Sequence, residues 1–191
     1  MGYRTFTNLI SGIADYKQGA LPWGPWPMHG DPPGRTMANS GCCLCSNADV
    51  LNISPEVIYN YLYPLNGDCL FSWSLMQQKY GVIYTRYGDS TDSTTFQMLK
   101  KQMFDFVYNK NMPLLLYTHN ASTNREHWVV ATGFNGTLPL YSDGYGNEYP
   151  DLGAITTSMF IIHDPGTSST YTLADELVTY GDVRSFRTVT R

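Results

Sequence analysis

The second half of this chain is punctuated by short, dense runs of strand-forming residues, and the first half is not. Pro113-Leu-Leu-Leu-Tyr117, His127-Trp-Val-Val-Ala-Thr-Gly-Phe134 and Ser158-Met-Phe-Ile-Ile-His163 are apolar runs of this kind, and Val183 to Val189 is a weaker one. Runs this short and this rich in Val, Ile, Phe and Trp read as strands. Upstream the period is helical. Leu44, Ala48 and Leu51 recur at i, i+4 and i+7 after Gly41, giving a short helix with one buried stripe. Ser54-Pro55-Glu56 opens a second helix through about Leu62, with Ser at the N-cap and Pro at the first helical position. A third is predicted from about Ser72 to Tyr80, stopped by Gly81, and Val82 to Arg86 reads as a strand. Asp92 to Asn109 is predicted as the longest helix, with Phe96, Leu99, Met103, Phe106 and Val107 on its apolar side. Helices first and strands afterwards argue for an α+β fold, with N-terminal helices packed on a mostly antiparallel sheet.

The 191 residues make a single domain, residues 1–191, large enough to bury a core without staples. Residues 1 to 18 read as a moderately apolar arm. Residues 19 to 41 hold five prolines and five glycines beside Trp23, Trp26 and His29, an irregular segment tied down by aromatic packing. Asn135 to Leu152 is turn-rich, and its opening Asn135-Gly136 pair is expected to form a hairpin. A net charge of −4 without any Lys/Arg run argues against nucleic acid as a partner, because that affinity rests on neutralising phosphates. No apolar stretch approaches the ~20 residues of a membrane span. The N-terminus lacks the apolar core of a signal peptide, and Phe6 stands where a myristoylation signal needs Ser or Thr, so the chain is expected to be made in a cytoplasm. Its cysteines, Cys42, Cys43, Cys45 and the distant Cys69, do not have the spacing of a secreted disulfide scaffold.

The Gly41-Cys42 junction carries the most chemistry. A cysteine on the first turn of a helix faces unpaired N–H groups and the positive end of the helix dipole, both of which favour thiolate, the nucleophile, over thiol. Glycine before it would let a substrate backbone approach. The stripe through Leu44, Ala48 and Leu51 turns Cys42 toward a cleft and Cys43 and Cys45 toward the buried sides. The bland alternative is three small buried hydrophobes. Cys42 and Cys45 also form a CxxC, but no strand precedes it as a redox site would require, and no second pair completes a zinc site.

A nucleophilic thiol needs a base. His127 begins an apolar strand, which would hold its backbone rigid with the side chain at the end of the sheet. His163 lies inside a strand beside Asp164, His119 in a loop, and His29 in the irregular segment. The base needs an acceptor for its second ring nitrogen. Asp164 ends a strand before Pro165-Gly166, and Asp143 in Ser-Asp-Gly competes with it.

Three segments together resemble one family. Tyr16-Lys17-Gln18-Gly19-Ala20-Leu21-Pro22-Trp23 is similar to a Y-x-Q-x-D-x-x-W opening. Thr36-Met-Ala-Asn-Ser-Gly41-Cys42-Cys-Leu-Cys-Ser46-Asn-Ala48-Asp-Val-Leu51 resembles a T-I-x-x-x-G-C-x-x-x-S-x-A-M-V-L helix. His127-Trp-Val-Val-Ala-Thr-Gly133 and Asp164-Pro165 resemble an H-x-V-V-x-x-G strand and an N-D-P end. The family is the papain-like C39-type peptidases, in particular the stand-alone domains of bacterial and phage cell-wall proteins, and the likeness covers about residues 16–166. It implies a papain-like α+β fold, Cys42 as nucleophile, His127 as base, Asp164 as its orienter and Gln18 as oxyanion-hole donor, with no cofactor and no metal. The implied activity is hydrolysis of amide bonds in peptides, above all peptidoglycan peptides, as in a phage or bacterial lysin. A protein-directed peptidase and a non-catalytic phage structural or binding module are the alternatives. The chain departs from the pattern at Ala20, where the family has Asp, and at His163, where it has Asn. The stretch between His127 and Asp164 is also longer than usual, so Asp143 or Asn147 are competing candidates for the place of Asp164.

Overall fold

A computed structural model describes residues 2–28, 34–66, 71–167 and 171–191. In chain order these form β1 (Tyr3–Leu9), α1 (Met37–Ser40), α2 (Cys42–Leu51), α3 (Pro55–Asn66), α4 (Trp73–Tyr80), β2 (Ile83–Tyr87), α5 (Phe96–Phe104), β3 (Leu114–Asn120), β4 (Arg125–Ser142), β5 (Glu148–Pro150), β6 (Phe160–His163), β7 (Tyr171–Thr172), α6 (Leu173–Tyr180) and β8 (Asp182–Thr190). Helices α1 to α4 precede most of the strands, and every strand pairing is antiparallel, as the order of patterns predicts.

The sheet runs β2-β8-β3-β4-β6-β7, with β1 and β5 also paired to β4. β4 is the spine. One edge pairs first with β3, Ala131 opposite Leu114, and then with β1, Gly133 opposite Leu9, while the other edge pairs with β6. Its length corrects the hairpin expected at Asn135-Gly136. The chain stays extended there because Gly133 and Gly136 serve close packing: a Cβ would meet Asn8 O at 2.8 Å and Met159 Cγ at 2.6 Å respectively. The turn comes instead at Asp143–Asn147, where the Asp143 carboxylate accepts from Tyr145 N and Asn147 N.

Two apolar cores result. On one, Phe96, Leu99, Met103 and Phe104 of α5 meet Leu114, Leu116, Val129, Ala131, Phe160 and Phe186 of the sheet. On the other, Leu44, Cys45, Ala48 and Leu51 of α2 meet Ile58 and Leu62 of α3 and Met76 of α4. Each fully buried aliphatic chain contributes roughly 1.5–3 kcal/mol, so one core anchors β4 under α5 and the other anchors α2 against α3 and α4.

Elsewhere the sequence reading needs correction. The N-terminal arm is strand β1, which buries Phe6 but alternates too weakly to read as a strand. α3 continues past Leu62 through Pro64 to Asn66, since a proline this close to the end forfeits one hydrogen bond. α5 begins at Phe96 rather than Asp92. The Asp89 carboxylate takes the hydroxyls of Ser93 and Thr94 and the amide of Thr91, so residues 89–94 form a turn. After Phe104 the helix widens into a π-turn at Asp105–Asn109. α6 carries no expectation from the sequence, and β8, read as a weak strand, lies inside the sheet between β2 and β3.

Candidate active site

α2 begins at Cys42, as its sequence pattern requires. Leu44, Cys45, Ala48 and Leu51 form its buried face, leaving Cys42 and Cys43 half-buried. Ser46 Oγ donates to the carbonyl of Trp128 at 3.0 Å, clamping the first turns of α2 across β4 beside His127. Gly41 also has a packing role: a Cβ there would lie 2.5 Å from Met37 O, so the sharp junction of α1 with α2 requires glycine.

β4 presents His127 opposite Thr118 of β3, with 5% of the residue exposed. Its Nε2 lies 2.7 Å from Asp164 Oδ1, its ring stacks on Tyr180 at 4.6 Å between centroids, and Cys42 is near enough to favour its charged form. With Nε2 held by Asp164, Nδ1 is the ring nitrogen left for the thiol. Burial opposes a charge on His127, but the hydrogen bond to Asp164 and the influence of nearby Cys42 prevail and raise the ring to about 11.

Asp164 is buried as well, which resists its ionisation, yet its donors hold the carboxyl down at about 2. Oδ1 accepts from His127 and from Gly166 N at 2.6 Å, and Oδ2 accepts from the Tyr171 hydroxyl at 2.5 Å. Gly166 suits this place because a Cβ would stand 3.1 Å from Asp164 Oδ1 and 3.5 Å from His127 Nε2. The long stretch between His127 and Asp164 leaves the carboxylate beside the ring. It forms the far end of β4, β5 and two 3₁₀ turns, the first of which Lys100 of α5 ties down through the carbonyls of Gly153 and Ile155.

Gln18 joins the same corner. Its backbone N–H donates to Pro165 O at 2.9 Å, and its side-chain Nε2 donates to Ala38 O at 2.6 Å, just ahead of Cys42. Lys17 Nζ donates to the Asp164 carbonyl at 2.9 Å. Beyond Cys42 opens a cleft of about 390 Å³, walled by Phe71, Trp73, Trp128 and Met28, with Arg35 and Glu126 at its rim. The Arg187 guanidinium lies 4.1 Å from the Trp73 ring centroid and 5.0 Å from that of Trp128.

The competing candidates are placed elsewhere. His163 Nδ1 bonds the Ala14 carbonyl, and His119 pairs with Asp92 and Asn124. Asp143 and Asn147 bond each other in the exposed β4–β5 turn. His29 and Cys69 lie outside the described residues. Cys43 and Cys45 are free thiols whose burial pushes them up, away from thiolate. Cys42 is half-buried and Cys45 fully buried on the same helix, with no bond between them.

The residues that close the site from behind, Lys17, Tyr171, Glu176 and Tyr180, carry no expectation from the sequence. A signal for three of them exists: Thr172-Leu-Ala-Asp175 is a capping-box pattern ahead of an apolar stretch, and α6 does start there. Neither a family model nor a curated protein sequence matches this chain.

Proposed function

We propose that this chain is a papain-like thiol hydrolase that cleaves amide bonds in peptides. The observation that carries the reading is the row Cys42, His127, Asp164: a half-buried cysteine opening α2, electrostatically coupled to a buried imidazole whose Nε2 is 2.7 Å from a carboxylate. Helix start, base and orienter are the parts that nucleophilic catalysis by a thiol requires. The likeness of the Gln18, Cys42, His127 and Asp164 segments to C39-type peptidases supports the same roles.

In this reading the Cys42 Sγ proton already rests on His127, and the sulfur attacks the scissile carbonyl carbon. The carbonyl electron pair moves to oxygen, where the second amide N–H of Gln18 and the backbone N–H of Cys42 receive it. One such donor is worth about 3 kcal/mol in the transition state. His127 then hands its proton to the leaving amine as the C–N bond breaks, leaving a thioester. Water, deprotonated by His127, attacks the thioester carbon and returns the thiolate. Asp164 keeps Nδ1 of His127 turned toward Cys42 throughout.

The proposed substrates are stem or cross-bridge peptides of peptidoglycan, following the cell-wall setting of the family. Purified cell walls and casein, each treated with the protein and with Cys42→Ala, test both levels. Wall clearing lost in Cys42→Ala supports the lysin reading, and cleavage of casein alone moves the substrate to proteins. Clearing that survives Cys42→Ala, or a Cys42 no more reactive with iodoacetamide than Cys69, overturns the hydrolase.

A further inference from the structure

Behind Asp164 lies a second acid for which the mechanism above has no use. Glu176 of α6 is 1% exposed, and its carboxylate faces the back of the His127–Asp164 pair. Atoms of His127, Asp164 and Glu176 fall within 4.8 Å of one another. The titratable groups turned toward it are His127 from β4, Asp164 from the end of β6 and Tyr171 from β7. The Thr118 hydroxyl of β3 adds a 3.4 Å contact to Oε1, and the 3₁₀ turn Thr157–Met159 contributes only neutral residues. Asp175, next on the helix, is turned away to cap Thr172.

Counting protons decides the arrangement. The Tyr171 hydroxyl has one hydrogen and two carboxylates in reach, Asp164 Oδ2 at 2.5 Å and Glu176 Oε2 at 3.0 Å. It can donate to one of them. The contact to Asp164 is the shorter, and Asp164 is the carboxylate that balances His127. The contact to Glu176 is then a hydrogen bond only if Glu176 brings the proton. Resting on the Cys42–His127–Asp164 reading, we propose that Glu176 is a positioning residue that acts as a neutral acid: its carboxyl proton is donated to Tyr171, and the Tyr171 proton is thereby committed to Asp164. Ionised, Glu176 would place a second negative charge beside His127 and compete with Asp164 for the Tyr171 hydroxyl. Burial, the largest influence on Glu176, points the same way and raises it to about 7. The site therefore has a built-in change of state near neutral pH.

The test reads the proton directly. Infrared difference spectra between the intact protein and Glu176→Gln should show a carboxylic-acid carbonyl band at pH 5.5 that fades with a midpoint near 7 and is missing from the variant. The proton NMR signal of His127 Nε2–H, which reports its bond to Asp164, should shift with the same midpoint in the intact protein. In Glu176→Gln, whose amide also donates to Tyr171, that signal should stay still. In Tyr171→Phe the acid band should persist while the His127 signal no longer follows it, because the relay is cut. An absent acid band, or a His127 shift that survives Glu176→Gln, overturns the inference. Iodoacetamide labelling of Cys42 in the same samples separates the two ideas: an inert Cys42 beside both signals removes the hydrolase and leaves the relay, and a reactive Cys42 without them does the reverse.

Discussion

Two histidine–aspartate pairs sit one register step apart in the β3–β4 hairpin, and they are built in opposite ways. Thr118 faces His127 across the ladder, and the next rung pairs His119 with Glu126, so the two imidazoles leave the sheet on opposite faces. Both lie within 3 Å of a carboxylate, at 2.7 Å for His127–Asp164 and 2.9 Å for His119–Asp92. In the first pair the side chains are 6% and 5% exposed; in the second Asp92 is 51% exposed. Water screens the second and is shut out of the first, so the same contact carries different weight. The largest effect we expect follows from this. Asp164→Asn should lower kcat/KM by about 10⁴, the scale seen when a triad's orienting acid becomes an amide and the imidazole takes the wrong tautomer. Asp92→Asn should leave kcat/KM unchanged. Peptide-bond cleavage by the two variants, measured side by side, checks this, and equal losses would erase the distinction.

Stability against pH sharpens the contrast. Asp164 is held below its ordinary value, so it contributes stability that is complete above about pH 4 and disappears as pH falls toward 2, on the order of 2 kcal/mol. Glu176, raised to about 7, has the other sign. Between about pH 4.5 and 7 the folded protein holds a proton that the unfolded chain releases, so stability declines as pH rises through that window. Asp49, whose burial in α2 raises it to about 8 despite the hydrogen bond from Tyr16 N, adds to the decline. His127, raised by its partners, adds to it as well. We expect Tm to be greatest near pH 4 and to fall on both sides, with Glu176→Gln flattening the alkaline slope and Asp164→Asn the acid one. At roughly 3 °C per kcal/mol for a chain of this size, thermal scans resolve both slopes.

How much of this site the sequence discloses depends on how local each cause is. Cys42 is legible because what sets it on α2, Gly41 and the stripe Leu44, Ala48, Leu51, lies within ten residues. His127 is legible because an apolar strand begins beside it. Asp164 is legible only as a strand end before Pro-Gly. Its meeting with His127 depends on β4 and β6 pairing across the long stretch between them, and on Lys100 holding part of that stretch against α5. Tyr171 and Glu176 show least, since a tyrosine and a glutamate near an acidic helix start read as surface residues until α6 folds over the open end of β3 and β4. The same distance hides β1, whose weak alternation buries little except Phe6 until β4 extends beyond β3 to meet it. Gly136 misleads because it occupies a close contact with Met159 that only the tertiary fold creates.

The smallest effect belongs to the exposed pair, and it shows why. Removing the Asp92 carboxylate takes one contact from His119 and one from Arg184 Nε, at 3.3 Å. Arg184 keeps its other anchors, since Nη1 donates to the carbonyls of Asp92 at 2.9 Å and Thr94 at 2.8 Å, backbone groups that the substitution leaves in place. His119 keeps Asn124 at 3.1 Å. Nothing is left buried and unpaired, so the loss reduces to one screened ion pair, typically under about 1 kcal/mol. Asp92→Ala should therefore move Tm by no more than about 3 °C at low ionic strength, and by less in 0.5 M salt, where the charge on His119 is already screened. A shift as large as that of Asp164→Asn, or one indifferent to salt, would mean that burial is not what separates the two pairs.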